Sequence, residues 1–149
     1  MTDHYRWHGR HEIDQIRAHL IAEHRAIRQY LARTDPPLRC ALVDNRQFAH
    51  HIWNVLSALE WLIDGGYVAH LDRLILAEEP IGEIDQIFPE LQNAPIERHR
   101  FPAAINTGLN QNWFLLRPGG TRISDHLIER LHRYAESRRI FLAKIHITH

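Results

Sequence analysis

The run Ala49-His50-His51-Ile52-Trp53-Asn54 gathers side chains that move protons, hydrogen-bond and stack. Imidazole is the side chain that titrates nearest neutrality, so His50 and His51 are the candidates for a general base. Asn54 follows His50 by four residues, and Ser57 and Trp61 continue the line at i+7 and i+11, which places all four on one side of a helix. A helix covering a sheet normally turns charges outward. This one turns out His, Asn, Ser and Trp, which suits either a ligand cleft or a second packing layer.

Further candidates flank that run. Asp44-Asn45-Arg46 immediately precedes it, and Arg46 has the geometry to pair with a phosphate. Glu78 and Glu79 stand before Pro80, where a carboxylate can act as a base or hold a sugar hydroxyl. Arg117-Pro118-Gly119-Gly120-Thr121 combines an arginine with the start of a helix, a combination that attracts anions. Ordinary structure accounts for the same residues as a satisfied histidine in a packed interface, a solvated carboxylate pair and a plain strand-to-helix turn.

Several chemistries lack their signatures. No GxGxxG and no GxxxxGK[ST] occurs, and Gly65-Gly66 follows a helix, as a C-terminal stop does, so dinucleotide and P-loop functions are unsupported. His4, His8 and His11 would align on a helix, but there is no HExxH and Gly9 interrupts them, so no metal site is assigned. No Gly-x-Ser-x-Gly elbow is present. Cys40 is the single cysteine, which excludes an internal disulfide and a multi-cysteine zinc site and reads as an inert core thiol.

The elements that must position these residues follow from periodicity. Cys40–Val43 reads as a buried strand, Arg46–Asp64 as a helix with Phe48, Ile52, Leu56, Leu59 and Ile63 inward, and Arg73–Ala77 as a second strand. That βαβ unit puts the His50/His51 turn at the carboxyl end of a parallel sheet, where open α/β folds bind ligands. A short helix over Gly82–Phe88, an edge strand over Ile96–Phe101, an amide-rich connection over Ala103–Asn112, a strand over Trp113–Leu116 and a helix over Ile123–Arg138 follow. Thr121 or Ser124 caps that last helix, and Ile140–Ile147 reads as a final strand. Ahead of the sheet, residues 1–10 read as loosely ordered and His11–Arg33 as an amphipathic helix that ends at Thr34-Asp35-Pro36-Pro37. The expected fold is a Rossmann-like α/β layered lobe with a mainly parallel sheet over residues 38–149, preceded by a polar segment and amphipathic helix over residues 1–37. A last parallel strand should feed another crossover, so it is either an edge or the front of a longer protein.

Composition bounds the partners. The chain has 149 residues, and its 18 basic and 18 acidic side chains cancel, so no net field favours nucleic acid or an anionic membrane. All the basic residues but Lys144 are arginine, which a GC-rich coding bias explains before anion binding does. The N-terminus has no apolar signal region and no run approaches the ~20 apolar residues of a membrane span, which predicts a cytoplasmic protein.

The segments His50-His51-Ile52-Trp53-Asn54, Gly66 to Glu79, Ile87-Phe88-Pro89-Glu90-Leu91 and Trp113-Phe114-Leu115-Leu116-Arg117-Pro118-Gly119 together resemble the front half of bacterial glycosyltransferase-like proteins of the family-61 and capsular-polysaccharide type. The resemblance covers about Leu38–Ser137 and rests on short motifs. It implies one lobe of a two-lobed enzyme of surface-polysaccharide synthesis that uses a nucleotide-sugar. In such enzymes the donor sits largely in the C-terminal lobe, so this chain holds no cofactor of its own and acts on the sugar acceptor. On that reading His50 or His51 supplies the base, Asp44 makes acceptor-side contacts, Asn54 and Glu78 hold sugar hydroxyls, Arg46 pairs with a phosphate, and Arg117 holds an anion. The competing reading is a non-catalytic α/β interaction domain that homodimerises through its N-terminal helix.

Overall fold

The computed structural model describes residues 3–101 and 103–139, with side chains from Ile13 onward. Four strands, β1 (Leu38–Val43), β2 (Arg73–Leu76), β3 (Ile96–Arg98) and β4 (Trp113–Leu116), form one sheet in the order β3-β2-β1-β4. All three pairings are parallel, with Cys40 opposite Arg73, Leu38 opposite Trp113 and Leu74 opposite Ile96. The chain moves one way from β1 to β3, then crosses to the far side of β1 for β4. The direction of winding therefore reverses between β1 and β4.

Strand alternation sends successive side chains to opposite faces, and each face has its own core. Ala41, Val43, Leu74 and Leu76 pack against Val55, Leu56, Leu59, Ile84, Ile87, Phe88, Leu91 and Leu127. Cys40, Leu42, Ile75 and Trp113 form the other core with Ala104. Burial pushes the Cys40 thiol up to about 11, which leaves it a protonated core group.

The first core is supplied by α3 (residues 48–64), α4 (Ile84–Ile87) and α6 (Asp125–Ser137); the second by α5 (Ala103–Gln111). The segment read as an amide-rich connection is thus the helix α5. Gly108 lets that helix approach the sheet, since a Cβ there would stand 3.1 Å from Leu115. Arg130 of α6 is almost wholly buried. It forms a bidentate pair with Glu90 at 2.8 and 2.9 Å and lies 4.8 Å above the Phe88 ring. The hydrogen bonds from Arg130 hold the Glu90 carboxyl below its usual range.

At the N-terminus the backbone is helical from Asp3, against the expectation of a loose segment over residues 1–10. The single helix read over His11–Arg33 is two, α1 (Asp3–Ala22) and α2 (His24–Leu31), parted at Glu23. α2 is tied to β4 by Tyr30 Oη donating to Trp113 O at 3.0 Å, and Arg33, just beyond α2, donates from Nη2 to Asn110 O of α5 at 2.6 Å. The strand read over Ile140–Ile147 lies outside the described residues.

The largest departure from sequence periodicity is in α3. Its residues His51–Leu56 form a π-helical turn, with Ser57 N donating to Ile52 O five residues back. A wide turn holds one extra residue and rotates everything before it relative to everything after it. Phe48, expected at the centre of the buried face, is consequently exposed, and His51, expected at its border, is fully buried. The flanking contacts match this register. Trp53 O accepts from Ser57 Oγ, Asn54 O accepts from Gly120 N at 2.7 Å, and Trp53 Nε1 donates to Thr121 O at 2.9 Å. The connection between β4 and α6 therefore lies directly on α3.

That contact depends on glycine at position 120. A Cβ there would overlap Ser57 Oγ and stand 2.8 Å from the Ala58 backbone nitrogen, whereas a Cβ at Gly119 meets open space. Gly120→Ala should lower stability in urea unfolding by about 1–3 kcal/mol, while Gly119→Ala should change it by less than about 0.5 kcal/mol.

Candidate functional site

The reversal of winding places the ends of β1 and β4 side by side, the position where ligands enter open α/β sheets. Asp44 leaves β1 and Arg117 leaves β4, and Arg117 Nε donates to Asp44 Oδ1 at 2.7 Å. The Asp44 carboxylate is almost wholly buried while the Arg117 side chain is 65% exposed. The pair thus bridges the two strand ends with a desolvated anion beneath a solvated cation. The guanidinium keeps further N–H groups, and Asp44 keeps its second oxygen, for a ligand.

The other predicted residues divide by exposure. Arg46 and His50 are exposed, and Asn54 and Glu78 are half-buried. Asn45 folds the connection back on itself, its Oδ1 accepting from Gln47 N at 3.0 Å. Glu79, next to Glu78, serves the fold: its Oε1 accepts from Ile84 N at 2.8 Å and caps α4, and its Oε2 accepts from Arg98 Nε at 3.0 Å. Arg98 also reaches Asp85 at 2.9 Å, which ties the ends of β2 and β3 together.

His50 and His51 have opposite surroundings. His51 Nδ1 lies 2.8 Å from Asn45 O. A carbonyl only accepts, so Nδ1 carries the hydrogen and Nε2 is left as an acceptor. That Nε2 is buried without a hydrogen-bond partner. Burial holds the ring below its ordinary value of 6.5, so the imidazole is neutral near neutrality. His50, one residue earlier, faces water and is the accessible imidazole of the two.

α3 carries three exposed aromatic side chains, Phe48, Trp53 and, two turns further, Trp61; Phe48 lies in a separate groove with Pro80, Leu131 and Tyr134. Trp61 stacks on Tyr67 with centroids 4.9 Å apart. A cleft of 340 Å³ lies between α3 and the β4–α6 connection, lined by Ser57, Ala58, Trp61 and residues 119–122. The polar line of His50, Asn54, Ser57 and Trp61 is therefore split. Its middle packs on the chain's own connection and its two ends stay open.

Periodicity alone did not single out Glu60. It is a buried carboxylate with Ser124 Oγ donating to Oε2 and His126 Nδ1 at 3.1 Å from Oε1. Ser124 in turn caps α6 by accepting from Leu127 N at 2.9 Å. The one available signal was the single charge inside the segment Leu56-Ser57-Ala58-Leu59-Glu60-Trp61-Leu62, apolar but for Ser57. Among the described residues no three His, Cys, Asp or Glu side chains converge to hold a metal ion. Nor is any described helix long and apolar enough to cross a membrane. No protein-family profile, curated protein or solved structure matches this chain.

The buried His51 makes stability depend on pH with a definite sign. Its folded value lies below the unfolded one, so the unfolded chain takes up the proton more readily. The stabilising contribution is complete above about pH 6.5 and is lost as pH falls from there through the folded value, at up to about 1.4 kcal/mol per pH unit. Urea midpoints measured between pH 7.5 and about pH 5 should fall for the native sequence and fall less steeply for His51→Phe.

Proposed function

We propose that the chain is a carbohydrate-binding lobe of glycosyltransferase-like type, with its ligand at the ends of β1 and β4. The observation that carries the reading is the buried Asp44 paired to the exposed Arg117 across the reversal of winding, with Trp53 and Phe48 exposed on the helix that follows β1. Sugars are held by planar pairs of donors and acceptors on their hydroxyls and by aromatic rings against their apolar faces. A carboxylate–guanidinium pair and exposed indoles are groups of that kind. The strand order also agrees with a Rossmann-like lobe, whose first four strands run 3-2-1-4. On this reading Asp44, Asn54 and Glu78 accept sugar hydroxyls, Arg46 and Arg117 meet the phosphate of a nucleotide-sugar, and His50 is the accessible base. His51 acts from the interior by holding the Asn45 carbonyl and so the connection that carries Asp44.

Isothermal calorimetry with glucose, N-acetylglucosamine and their UDP conjugates tests this. At least one should bind, and Asp44→Asn and Arg117→Ala should each weaken it about ten-fold without loss of the folding transition. Absence of binding heat for every compound at millimolar concentration, with a folded protein, overturns the reading.

A second reading has its own observation. Ile13, Ile16, Leu20 and Ile21 of α1 and Leu31 of α2 are between 49% and 75% exposed. Aliphatic side chains at i, i+3 and i+7 on one helix form a stripe that a second helix can cover. On this reading the chain homodimerises through α1 and binds no sugar. Light scattering at micromolar concentration should give twice the chain mass for the native sequence and the single chain mass for Ile16→Glu, Leu20→Glu. A native monomer under those conditions excludes the dimer.

A further inference from the structure

We propose that Glu60 and His126 form a second polar centre beside the Trp61 cleft, which receives a hydroxyl of an uncharged sugar ring. The inference rests on the carbohydrate reading above and adds a site to it.

Glu60 sits in the buried stretch of α3, and its side chain is only 6% exposed. Burying a carboxylate is unfavourable unless its oxygens are hydrogen-bonded, and here each has a partner on the N-terminal turn of α6. Ser124 Oγ donates to Oε2. His126 Nδ1 donates to Oε1 at 3.1 Å. The serine alone completes the helix cap, since its oxygen also accepts from Leu127 N. The imidazole is not required for that cap, yet it is the group whose orientation the carboxylate determines. With Nδ1 carrying the hydrogen, Nε2 is an unprotonated acceptor on a ring that is 52% exposed. A buried acid that orients the distal nitrogen of an accessible imidazole is the arrangement by which a histidine is readied to take a hydroxyl proton.

Glu60 precedes Trp61 and Ser124 follows Arg122 by two residues, so the pair stands at the edge of the adjoining cleft, outside its lining. Trp61, the neighbour of Glu60, lines it together with Ser57 and residues 119–122. Tyr67 stacks against one side of the indole and leaves the ring 62% exposed. A pyranose offers a flat apolar face for such an indole and hydroxyls at its rim. Charge does not favour an anion, because Glu60 is hydrogen-bonded to His126 and Asp125 and Glu129 lie within one turn of it, against Arg122 at the cleft and Arg130 four residues on, which is itself paired with Glu90. A neutral hydroxylated ring avoids that repulsion.

The test uses the full chain labelled with nitrogen-15, with glucose and N-acetylglucosamine as probes. At pH 8 the ring nitrogen signals of His126 should show hydrogen on Nδ1, and Glu60→Gln should move it to Nε2, because the new amide can donate to Nδ1. Glu60→Asp should retain the native tautomer. Titration with a bound sugar should shift the Trp61 indole and His126 ring signals together, and His126→Phe and Trp61→Ala should each weaken that response about ten-fold. Trp61 is exposed, so its variant keeps the fold. His126→Phe deprives the buried Glu60 of a partner, so it is accompanied by His126→Asn, whose amide can still donate to Oε1 but offers no distal ring nitrogen. A cooperative thermal transition verifies that each variant is folded. Sugar-dependent shifts confined to His50 and Trp53 overturn this inference and leave the Asp44–Arg117 site standing. Shifts at neither place overturn this inference, while calorimetry with the UDP conjugates decides the Asp44–Arg117 site. A native His126 with its hydrogen on Nε2 also overturns the inference.

Discussion

The seating of the β4–α6 connection on the widened turn of α3 is the constraint on which the candidate sites depend. Gly120 N reaches Asn54 O, Trp53 Nε1 reaches Thr121 O, and only glycine fits where the connection crosses Ser57 and Ala58. From that seat the connection runs back to Arg117, which it holds against Asp44. It runs forward to Ser124 and His126, which it delivers to Glu60. Both polar centres are therefore assembled by one short stretch of chain laid along one helix.

The same contact accounts for a helix buried on more than its sheet face. Val55 through Glu60 are all buried, six consecutive residues, which no helix covered on one side alone can show. The sheet takes Val55, Leu56 and Leu59, and the connection and α6 take the remainder. Glu60 is tolerated inside this layer because hydroxyl and imidazole partners replace its water. Arg130 is tolerated in the neighbouring layer because Glu90 and the Phe88 ring do the same for a cation. Each buried charge joins α6 to a different part of the domain.

Much of the architecture was legible from local pattern. The short apolar runs at Cys40–Val43, Arg73–Ala77 and Trp113–Leu116 read as strands because buried parallel strands carry few polar residues. Strands alternating with helices then implied the parallel sheet. Ser124 was legible as a cap, and Gly65-Gly66 as a helix stop, from residue chemistry alone. Ala103–Gln111 was not, because Asn, Thr and Gly lower helix propensity and packing on the second core overrides them. Phe48 was assigned inward because a wheel of 3.6 residues per turn cannot register one extra residue.

Sequence alone determined which chemistries are absent as motifs and the α/β class of fold, and it nominated the end of β1 as the candidate site, since these follow from composition and periodicity. Tertiary structure decided which side chains in that neighbourhood are accessible. It buried His51 and left His50 in water, it paired Asp44 with Arg117 across 73 residues of chain, and it made Glu60 the anchor of His126. The reason is that hydrogen-bond partners and solvent exposure depend on elements remote in sequence. One inserted residue in a helical turn changes what a local pattern assigns to the residues before it, Phe48 and His51, and leaves Leu56 and Leu59 inward.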